Sequence, residues 1–257
     1  MSCVAFSREG CGESLAVHVR RVLAVWDMLK PLYARAARRA VGAVGFDPVE
    51  YAIVAHDLGK LAGAYQRGQR GAYRHEVVSA YLAYKGLEGV EEDARVAVAA
   101  AVLLHHEPII MSAYVAEVGE DYLPVYVLRR ELERSNLRVE CDWGELRPLL
   151  EGYPGLYKAV EQWAAGGLDV GEMLDVLKRV LVLTSIGDVE RVHVMRARVG
   201  AVLYPLVVAD SVAAHVGREV CERCGGEGTR IAEWALGGAE PLKRDEVVEK
   251  VCRVGRM

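Results

Sequence analysis

Residues 54–66 read VAHDLGKLAGAYQ, and the pair His56-Asp57 within them decides how the rest of the chain is interpreted. The pair follows apolar residues on a helix that begins at residues 47–50, DPVE. Aspartate at the N-cap, proline at N1 and glutamate at N3 are typical of a helix start. A buried carboxylate beside an imidazole is costly unless a positive charge neutralises it. A divalent metal ion supplies that charge, so the stretch predicts a metal site at a helix.

A second pair of candidate ligands, His105-His106, ends the apolar run VAVAAAVLL. Consecutive helical residues are about 100° apart, so both imidazoles can reach one cavity. Further candidates are His18 in SLAVHVRRV, His75 in RHEVVSAYL and Asp210 at the end of VLYPLVVAD, with Asp188 as a rival to Asp210. A single histidine on an apolar helix is more often a hydrogen-bonded core residue. Two such pairs in one chain favour a shared site, and these ligand types suit Mn, Fe, Ni or Co.

The composition is that of an ordinary globular protein, with 52% hydrophobic and 26% charged residues among 257. The net charge of -4 argues against a generally basic nucleic-acid-binding surface, although a local basic patch remains possible. The longest uncharged apolar run, residues 199–209, is shorter than the ~18 residues that a membrane span needs. The N-terminus is too polar for a secretory signal, so we expect a cytoplasmic protein without membrane association.

The pattern of apolar residues predicts an all-α fold. Helices are expected over 14–40, with a kink or break at Pro31, and over 47–59, 75–85, 90–106, 124–134, 154–164, 171–187 and 189–215. No strand-like alternation of useful length is present. Residues 1–216 are expected to form the main domain, and residues 217–257 a short C-terminal appendage packed on it.

The order of these motifs resembles the HD superfamily, and most of all the HD nuclease of type I CRISPR systems in its stand-alone form. The matching segments are SLAVHVRRV (14–22), VAHDLGKLAGAYQ (54–66), RHEVVSAYL (74–82), LLHHEP (103–108) and VVADSVAAH (207–215). Tyr65-Gln66 stands where that family commonly has Phe-Gln. The resemblance lies within residues 14–215 and implies a helical HD-domain bundle.

The resemblance also implies two divalent metal ions bridged by Asp57, with Mn, Ni, Co, Fe or Mg as candidates. One ion would be held by His18, His56, Asp57 and Asp210, and the other by Asp57, His75, His105 and His106. Two such ions clamp the attacking and leaving oxygens of a phosphodiester. Asp57 and Lys60 are the candidate catalytic residues. Lys60 would contact the phosphate, or would otherwise be a solvated lysine at a helix end.

The loop that follows the His-Asp motif offers candidate substrate-binding residues. Arginines for phosphates and aromatic rings for stacking suit single-stranded nucleic acid, and the candidates are Tyr65, Arg67, Arg70 and Arg74. The alternative is an ordinary solvated loop.

The six cysteines are expected to be reduced thiols if the protein is cytoplasmic. Asparagine occurs once and glutamine three times, a scarcity typical of hyperthermophile proteins, in which intracellular disulfides occur. Biased genome composition produces the same scarcity. The CERC segment, 221–224, lacks a nearby second pair for structural zinc, which favours free thiols or a local disulfide.

The leading hypothesis is a metal-dependent nuclease that cuts single-stranded DNA in type I CRISPR antiviral defence. No GxxxxGK[ST] motif is present, so the helicase partner would be a separate subunit, and a crRNA-guided surveillance complex would deliver the target. The alternatives are an HD phosphohydrolase acting on small nucleotides and a non-catalytic HD scaffold.

Overall fold

The computed structural model describes residues 2–8, 11–42, 45–68, 74–106, 125–222, 224 and 230–255. The described residues are 76% helical and include two short strands, which confirms the predicted all-α fold. One connected hydrophobic core runs through the described residues. Its largest fully buried side chains include Trp26 and Trp163.

A small hairpin precedes the first helix. Strand β1 (Val4–Arg8) pairs in antiparallel fashion with β2 (Cys11–Ser14), and Phe6 lies opposite Glu13. The sequence predicted no strand here, and that expectation was wrong. Strands of five and four residues are too short for their alternation to be recognised. The hairpin buries Glu13, which is 4% exposed, at the start of the first helix.

Helix α1 (Leu15–Val41) begins after Ser14, whose side chain accepts a hydrogen bond from the Val17 amide. The predicted kink or break at Pro31 does not end the helix, which continues through it for 27 residues. A proline removes one backbone hydrogen bond, whereas the apolar face of α1 is held by packing along its length.

The next helices are α2 (Pro48–Ala55), α3 (Gly63–Gln66), α4 (His75–Gly86) and α5 (Glu92–Leu104). A 3₁₀ turn, Leu58–Leu61, connects α2 to α3. The predicted start of α2 is confirmed, since Asp47 accepts hydrogen bonds from the amides of Val49 and Glu50. The helix ends slightly earlier than predicted, so His56 and Asp57 lie at its C-terminal end.

Four further helices follow: α6 (Val125–Arg134), α7 (Arg147–Leu150), α8 (Pro154–Gly166) and α9 (Val170–Ser185). Helices α8 and α9 both pack against α4, and α9 also contacts α5. The buried indole N–H of Trp163 donates a hydrogen bond of 2.6 Å to the carbonyl of Leu137. This layer therefore packs against α4 from the outside of the bundle.

Helix α10 (Val189–His215) packs along α1 and across α5. After it come a π-helical turn (Val216–Cys221), α11 (Arg230–Trp234), a second π turn (Ala235–Ala239) and α12 (Arg244–Val254). Helix α12 packs against α1 and against the first π turn. The described C-terminal residues therefore lie on the same bundle as the rest of the chain.

One long apolar stretch, Val189–Cys221, meets the length and composition criteria of a membrane span. Its most apolar window has a mean hydropathy of 1.6, and half of that window is buried within the protein. Buried core helices meet the same criteria. The contacts of α10 with α1 and α5 are those of a core helix.

All six cysteines are paired. The pairs are Cys3–Cys141, Cys11–Cys224 and Cys221–Cys252, with Cα–Cα distances of 5.0, 5.7 and 5.3 Å, the usual range for disulfides. The expectation of free thiols is therefore wrong. A local disulfide within the CERC segment is also excluded, because Cys221 and Cys224 have different and distant partners.

Candidate metal centre

Five separate segments bring the predicted ligands to one place. His18 comes from the first turns of α1, and His56 and Asp57 from the end of α2. His75 is the first residue of α4, whereas His105 and His106 follow the last turn of α5. Asp210 comes from α10. The rings of His56 and His105 are in edge contact, with centroids 5.1 Å apart, and those of His75 and His106 are also 5.1 Å apart.

Asp57 lies between two groups of ligand atoms. Its Oδ2 is 3.4 Å from His18 Nε2 and 3.3 Å from His56 Nε2. Its Oδ1 is 3.2 Å from His75 Nε2 and 3.7 Å from His105 Nε2. Each carboxylate oxygen therefore faces a different pair of imidazoles, an arrangement suited to a bridging ligand.

The potential ligand atoms form two sets that share Asp57. One set contains Asp57, His75, His105 and His106, and the other contains His18, His56 and Asp57, with the atoms of each set within 4.8 Å of one another. Asp210 adds a carboxylate to the second set, because its Oδ1 is 3.0 Å from His18 Nε2 and 3.8 Å from His56 Nε2.

Two histidines are fixed in the form that a metal requires. The Nδ1 of His56 lies 2.6 Å from the carbonyl oxygen of Ile53, and the Nδ1 of His105 lies 2.6 Å from that of Val102. A carbonyl only accepts, so Nδ1 carries the proton and Nε2 keeps its lone pair. Metal-binding histidines are usually oriented in this way.

Several buried atoms at the centre lack a hydrogen bond among the described residues. They are the Nε2 atoms of His56, His75 and His105 and the Oδ1 of Asp57. Buried polar atoms are normally satisfied, so acceptor atoms that converge without hydrogen bonds call for a cation. Imidazole nitrogens and carboxylate oxygens are ligands for divalent transition metals. The donor set therefore fits two divalent ions.

Lys60 is buried in the centre and is not a solvated residue at a helix end. Its Nζ donates a hydrogen bond of 2.6 Å to Asp57 Oδ2, and the residue is 5% exposed. Burial raises the pKa of Asp57, but Lys60 and His56 act in the opposite direction and outweigh burial. The pKa of this carboxyl therefore lies well below its usual range. Lys60 thus helps to keep the shared carboxylate ionised.

His106 stands at the less buried side of the centre. Its ring centroid is 4.2 Å from that of His105. Burial is the main cause that lowers the pKa of His106 to about 2. The neutral imidazole that results is the form that donates a lone pair to a metal.

Gly59 allows the first residue of α4 to approach the His-Asp motif. A Cβ at position 59 would lie 2.8 Å from the carbonyl carbon of His75 and would overlap its oxygen. The Gly59 amide also donates a hydrogen bond of 2.8 Å to the hydroxyl of Ser79 on α4. Glycine is therefore needed here for a close approach between two backbones.

The rival carboxylate, Asp188, is exposed and caps α10 by accepting a hydrogen bond from the Arg191 amide. It does not belong to the centre. His193 is exposed on the same helix, as expected for a residue that is not a ligand. Asp210, on the same helix α10 (Val189–His215), is the carboxylate that reaches the histidines.

The candidate substrate-binding residues have different environments. Arg67 is exposed and pairs with Glu140 at 2.6 Å, and Arg74 is half-buried. Arg70 lies outside the described residues. Tyr65 is only 7% exposed, and its hydroxyl donates to the Ala5 carbonyl at 2.5 Å. Its ring packs 5.6 Å from that of His75, so it is not available as an exposed stacking surface.

The sequence analysis missed Glu13 and Arg21. Glu13 Oε2 lies 3.2 Å from His18 Nδ1, and its Oε1 accepts a hydrogen bond of 2.6 Å from Arg21. Burial lowers the pKa of His18, but Glu13 and Asp210 raise it to about 10. An acidic residue ahead of a helix and an arginine one turn beyond a histidine are common on solvated surfaces, so no sequence signal marked them.

Curated relatives resemble the chain over most of its length. The CRISPR-associated endonuclease Cas3-HD of Thermoproteus tenax is 37% identical over 235 residues, which cover 91% of this chain and 96% of the relative. Proteins of the same name from Pyrococcus furiosus and Methanocaldococcus jannaschii are 30% and 26% identical, and the chain covers 90% and 87% of them. No family model matches the sequence.

Proposed function

Because the chain belongs to the Cas3-HD family of CRISPR-associated endonucleases, we propose that it hydrolyses single-stranded DNA with two divalent metal ions during type I CRISPR defence. The family and the donor set make the chain a CRISPR-associated HD nuclease with groups able to bind metal.

The observation that carries the proposal is the position of Asp57, whose two oxygens face two separate pairs of histidines. His18, His56, Asp57 and Asp210 would hold one ion, and Asp57, His75, His105 and His106 the other. When bound, two such ions lower the pKa of water and neutralise charge on the scissile phosphodiester. Mn, Ni, Co, Fe and Mg are the candidates for this donor set.

The chain's own residues support that chemistry in two ways. The Ile53 and Val102 carbonyls hold the protons of His56 and His105 at Nδ1, which leaves Nε2 free. Lys60 keeps a positive charge beside Asp57 and is placed to stabilise negative charge that develops on the phosphate. Burial lowers the pKa of Lys60, but Asp57 raises it more, so its Nζ stays protonated.

A single-stranded substrate is favoured by the depth of the centre. His56 is 0%, Asp57 1% and His105 4% exposed, so a phosphate must enter a recess to reach them. An unpaired strand can bend into such a recess, whereas duplex DNA is stiff over ~150 base pairs. The net charge of -4 means that the strand must be attracted by a local basic surface. Arg67 and Arg70 remain candidates for that surface.

A separate helicase subunit would supply the unpaired strand, and a crRNA-guided complex would select it, in the cytoplasm. The chain covers 87% to 96% of relatives named Cas3-HD, which supports an HD unit that stands alone. The sequence carries no Walker-type motif of its own. Co-purification with a CRISPR helicase from the same organism would test this partnership.

A nuclease assay tests the proposal directly. Metal-free protein is supplied in turn with Mn²⁺, Ni²⁺, Co²⁺, Fe²⁺ or Mg²⁺ and offered single-stranded DNA, duplex DNA and a free nucleotide. We expect cleavage of the single strand, weaker cleavage of the duplex and no turnover of the nucleotide. Preferred hydrolysis of the nucleotide would instead identify a small-nucleotide phosphohydrolase, and inactivity with every metal would favour a scaffold.

A further inference from the structure

A line of charged side chains, buried as far as Arg21, leads from the metal centre to the C-terminal part of the chain. His18 Nδ1 faces Glu13 Oε2 at 3.2 Å, and Glu13 Oε1 accepts a hydrogen bond of 2.6 Å from Arg21 Nη1. The other terminal nitrogen, Arg21 Nη2, donates to Glu222 at 2.6 Å. Arg21 is 1% exposed, which is unusual for an arginine on a helix.

The C-terminal segment, described over residues 217–222, 224 and 230–255, builds the space that Arg21 occupies. A Cβ at Gly217 would lie 2.9 Å from Arg21 Nη1 and 3.2 Å from Glu13 Oε1. A Cβ at Gly255 would lie 3.0 Å from Arg21 Cζ and would overlap Nη2. The two glycines and Glu222 therefore enclose the guanidinium group from the C-terminal side.

We propose that Glu13 positions the metal ligand His18, that Arg21 holds Glu13 in place, and that the described C-terminal segment is consequently part of the support of the active centre. This inference rests on the proposed two-metal function. It assigns a role to three charged residues outside the ligand set and to a segment that carries none of the ligands.

The need for Glu13 follows from the form of the imidazole. His56 and His105 direct their Nδ1 atoms at backbone carbonyls, whereas the Nδ1 of His18 faces a carboxylate. An ionised carboxylate only accepts hydrogen bonds, so it favours a proton on Nδ1 and leaves Nε2 for the metal. Carboxylates in this position orient a ligating histidine and make it a stronger donor.

The need for Arg21 follows from the burial of Glu13. A carboxylate that is 4% exposed must be neutralised, and an arginine remains charged at any physiological pH. Because Arg21 donates to Oε1, the second oxygen of Glu13 is directed at His18. Glu222, in turn, pairs with the other end of the guanidinium and links it to the C-terminal segment.

The decisive variant is Glu13→Gln. If the amide oxygen accepts from Arg21, the amide nitrogen faces His18 and donates to it. Nδ1 of His18 must then accept, which moves the imidazole proton to Nε2 and blocks that atom as a ligand. The opposite rotamer places two donors, the amide nitrogen and Arg21, against each other. Glu50→Gln is the matched control, because Glu50 is also a hydrogen-bonded glutamate but pairs with Lys30 and Tyr153.

Calorimetric titration with Mn²⁺ measures the effect on each ion. We expect wild type and Glu50→Gln to bind two ions, and Glu13→Gln to bind one ion normally and the other about 10- to 100-fold more weakly. Anomalous diffraction from crystals soaked in Mn²⁺ should place the weakened site at His18. For DNA cleavage at fixed Mn²⁺ we expect a lower kcat with unchanged KM, and recovery of kcat at higher Mn²⁺.

Other results of the titration would overturn either the positioning role of Glu13 or the proposed function. If Glu13→Gln binds both ions as tightly as wild type, or weakens the His75 side equally, the positioning role is wrong. If wild type itself fails to bind two ions, the proposed function fails instead. Should Glu13→Gln not fold, Glu222→Gln decides, because the Glu222 side chain is 41% exposed and its loss is tolerable. We expect it to weaken the same site selectively, and unchanged binding would overturn the link to the C-terminal segment.

Discussion

The carbonyl group of His75 lies directly against Gly59, so closely that no side chain fits between them. A Cβ at position 59 would meet the carbon, oxygen and Cα of His75, all of which are backbone atoms. Backbone cannot move aside as the end of a flexible side chain can. The glycine of the His-Asp-x-Gly-Lys motif therefore sets how closely the start of α4, with His75, approaches the motif that carries Asp57.

We expect Gly59→Ala to push the start of α4 away from Asp57 and to weaken the ion on the His75 side by at least about 10-fold, with a similar loss of cleavage. Mn²⁺ titration and nuclease assays measure both effects. Gly200→Ala is the control, since a Cβ there meets nothing within 4 Å. Normal metal binding by Gly59→Ala would show that α4 shifts without cost.

Asp57→Ala should abolish cleavage, with a loss of more than about 100-fold, because it removes the shared ligand. The variant should also lose stability, since Lys60 would be left buried without its partner. Stranding one member of a buried ion pair costs about 3–5 kcal/mol.

The double variant Asp57→Ala, Lys60→Met separates the two effects. It removes the unpaired charge, so thermal or urea unfolding should show most of the lost stability recovered while cleavage stays absent. Cleavage of single-stranded DNA by either variant, free of contaminating nuclease, would show that the chemistry lies elsewhere.

Metal removal should affect stability as well as activity. Chelation should abolish cleavage, and restoring Mn²⁺ at about 100 times its dissociation constant should stabilise the fold by ~2.7 kcal/mol for each site. For a domain of this size that corresponds to about 5–10 °C in Tm for one site. Differential scanning calorimetry measures the shift. An unchanged Tm with every divalent ion tested would contradict the assignment of this centre.

Replacing Arg67 and Arg70 together with alanine should weaken binding of single-stranded DNA. The slope of log K against log salt concentration should become shallower, by up to ~0.7 for each of the two lost phosphate contacts. Hydrolysis of a small model phosphodiester should change little. Arg129→Ala with Arg130→Ala is the control, on exposed positions of α6. If the Arg67/Arg70 variant loses turnover of the small substrate as fully, the loop supports His75 and does not track DNA.

The candidate ligands that the structure brings together could be recognised in the sequence because each pair forms a local motif. Adjacent His-Asp and His-His pairs after apolar helices are rare, and the helix start at Asp47 follows capping rules that depend on four residues. The all-α fold could be predicted from the spacing of apolar residues along the chain.

The parts that could not be predicted depend on residues that are distant in the chain. Glu13 and Arg21 acquire their roles only when the hairpin and the C-terminal segment fold around α1. Cysteine partners cannot be read from spacing, and Cys11 pairs with Cys224 across 213 positions. Tyr65 looked like a binding residue until its neighbours Ala5 and His75 covered it.

The bond between Cys11 and Cys224 turns most of the polypeptide into a closed loop. Hydrolysis of any one peptide bond between these two cysteines opens the loop but does not separate the fragments, since each fragment keeps one of the two bonded cysteines. A nicked protein would run as one species on a denaturing gel until reductant is added. Exposed segments of this molecule can therefore be cleaved while its two ends stay covalently joined beside the centre that they support.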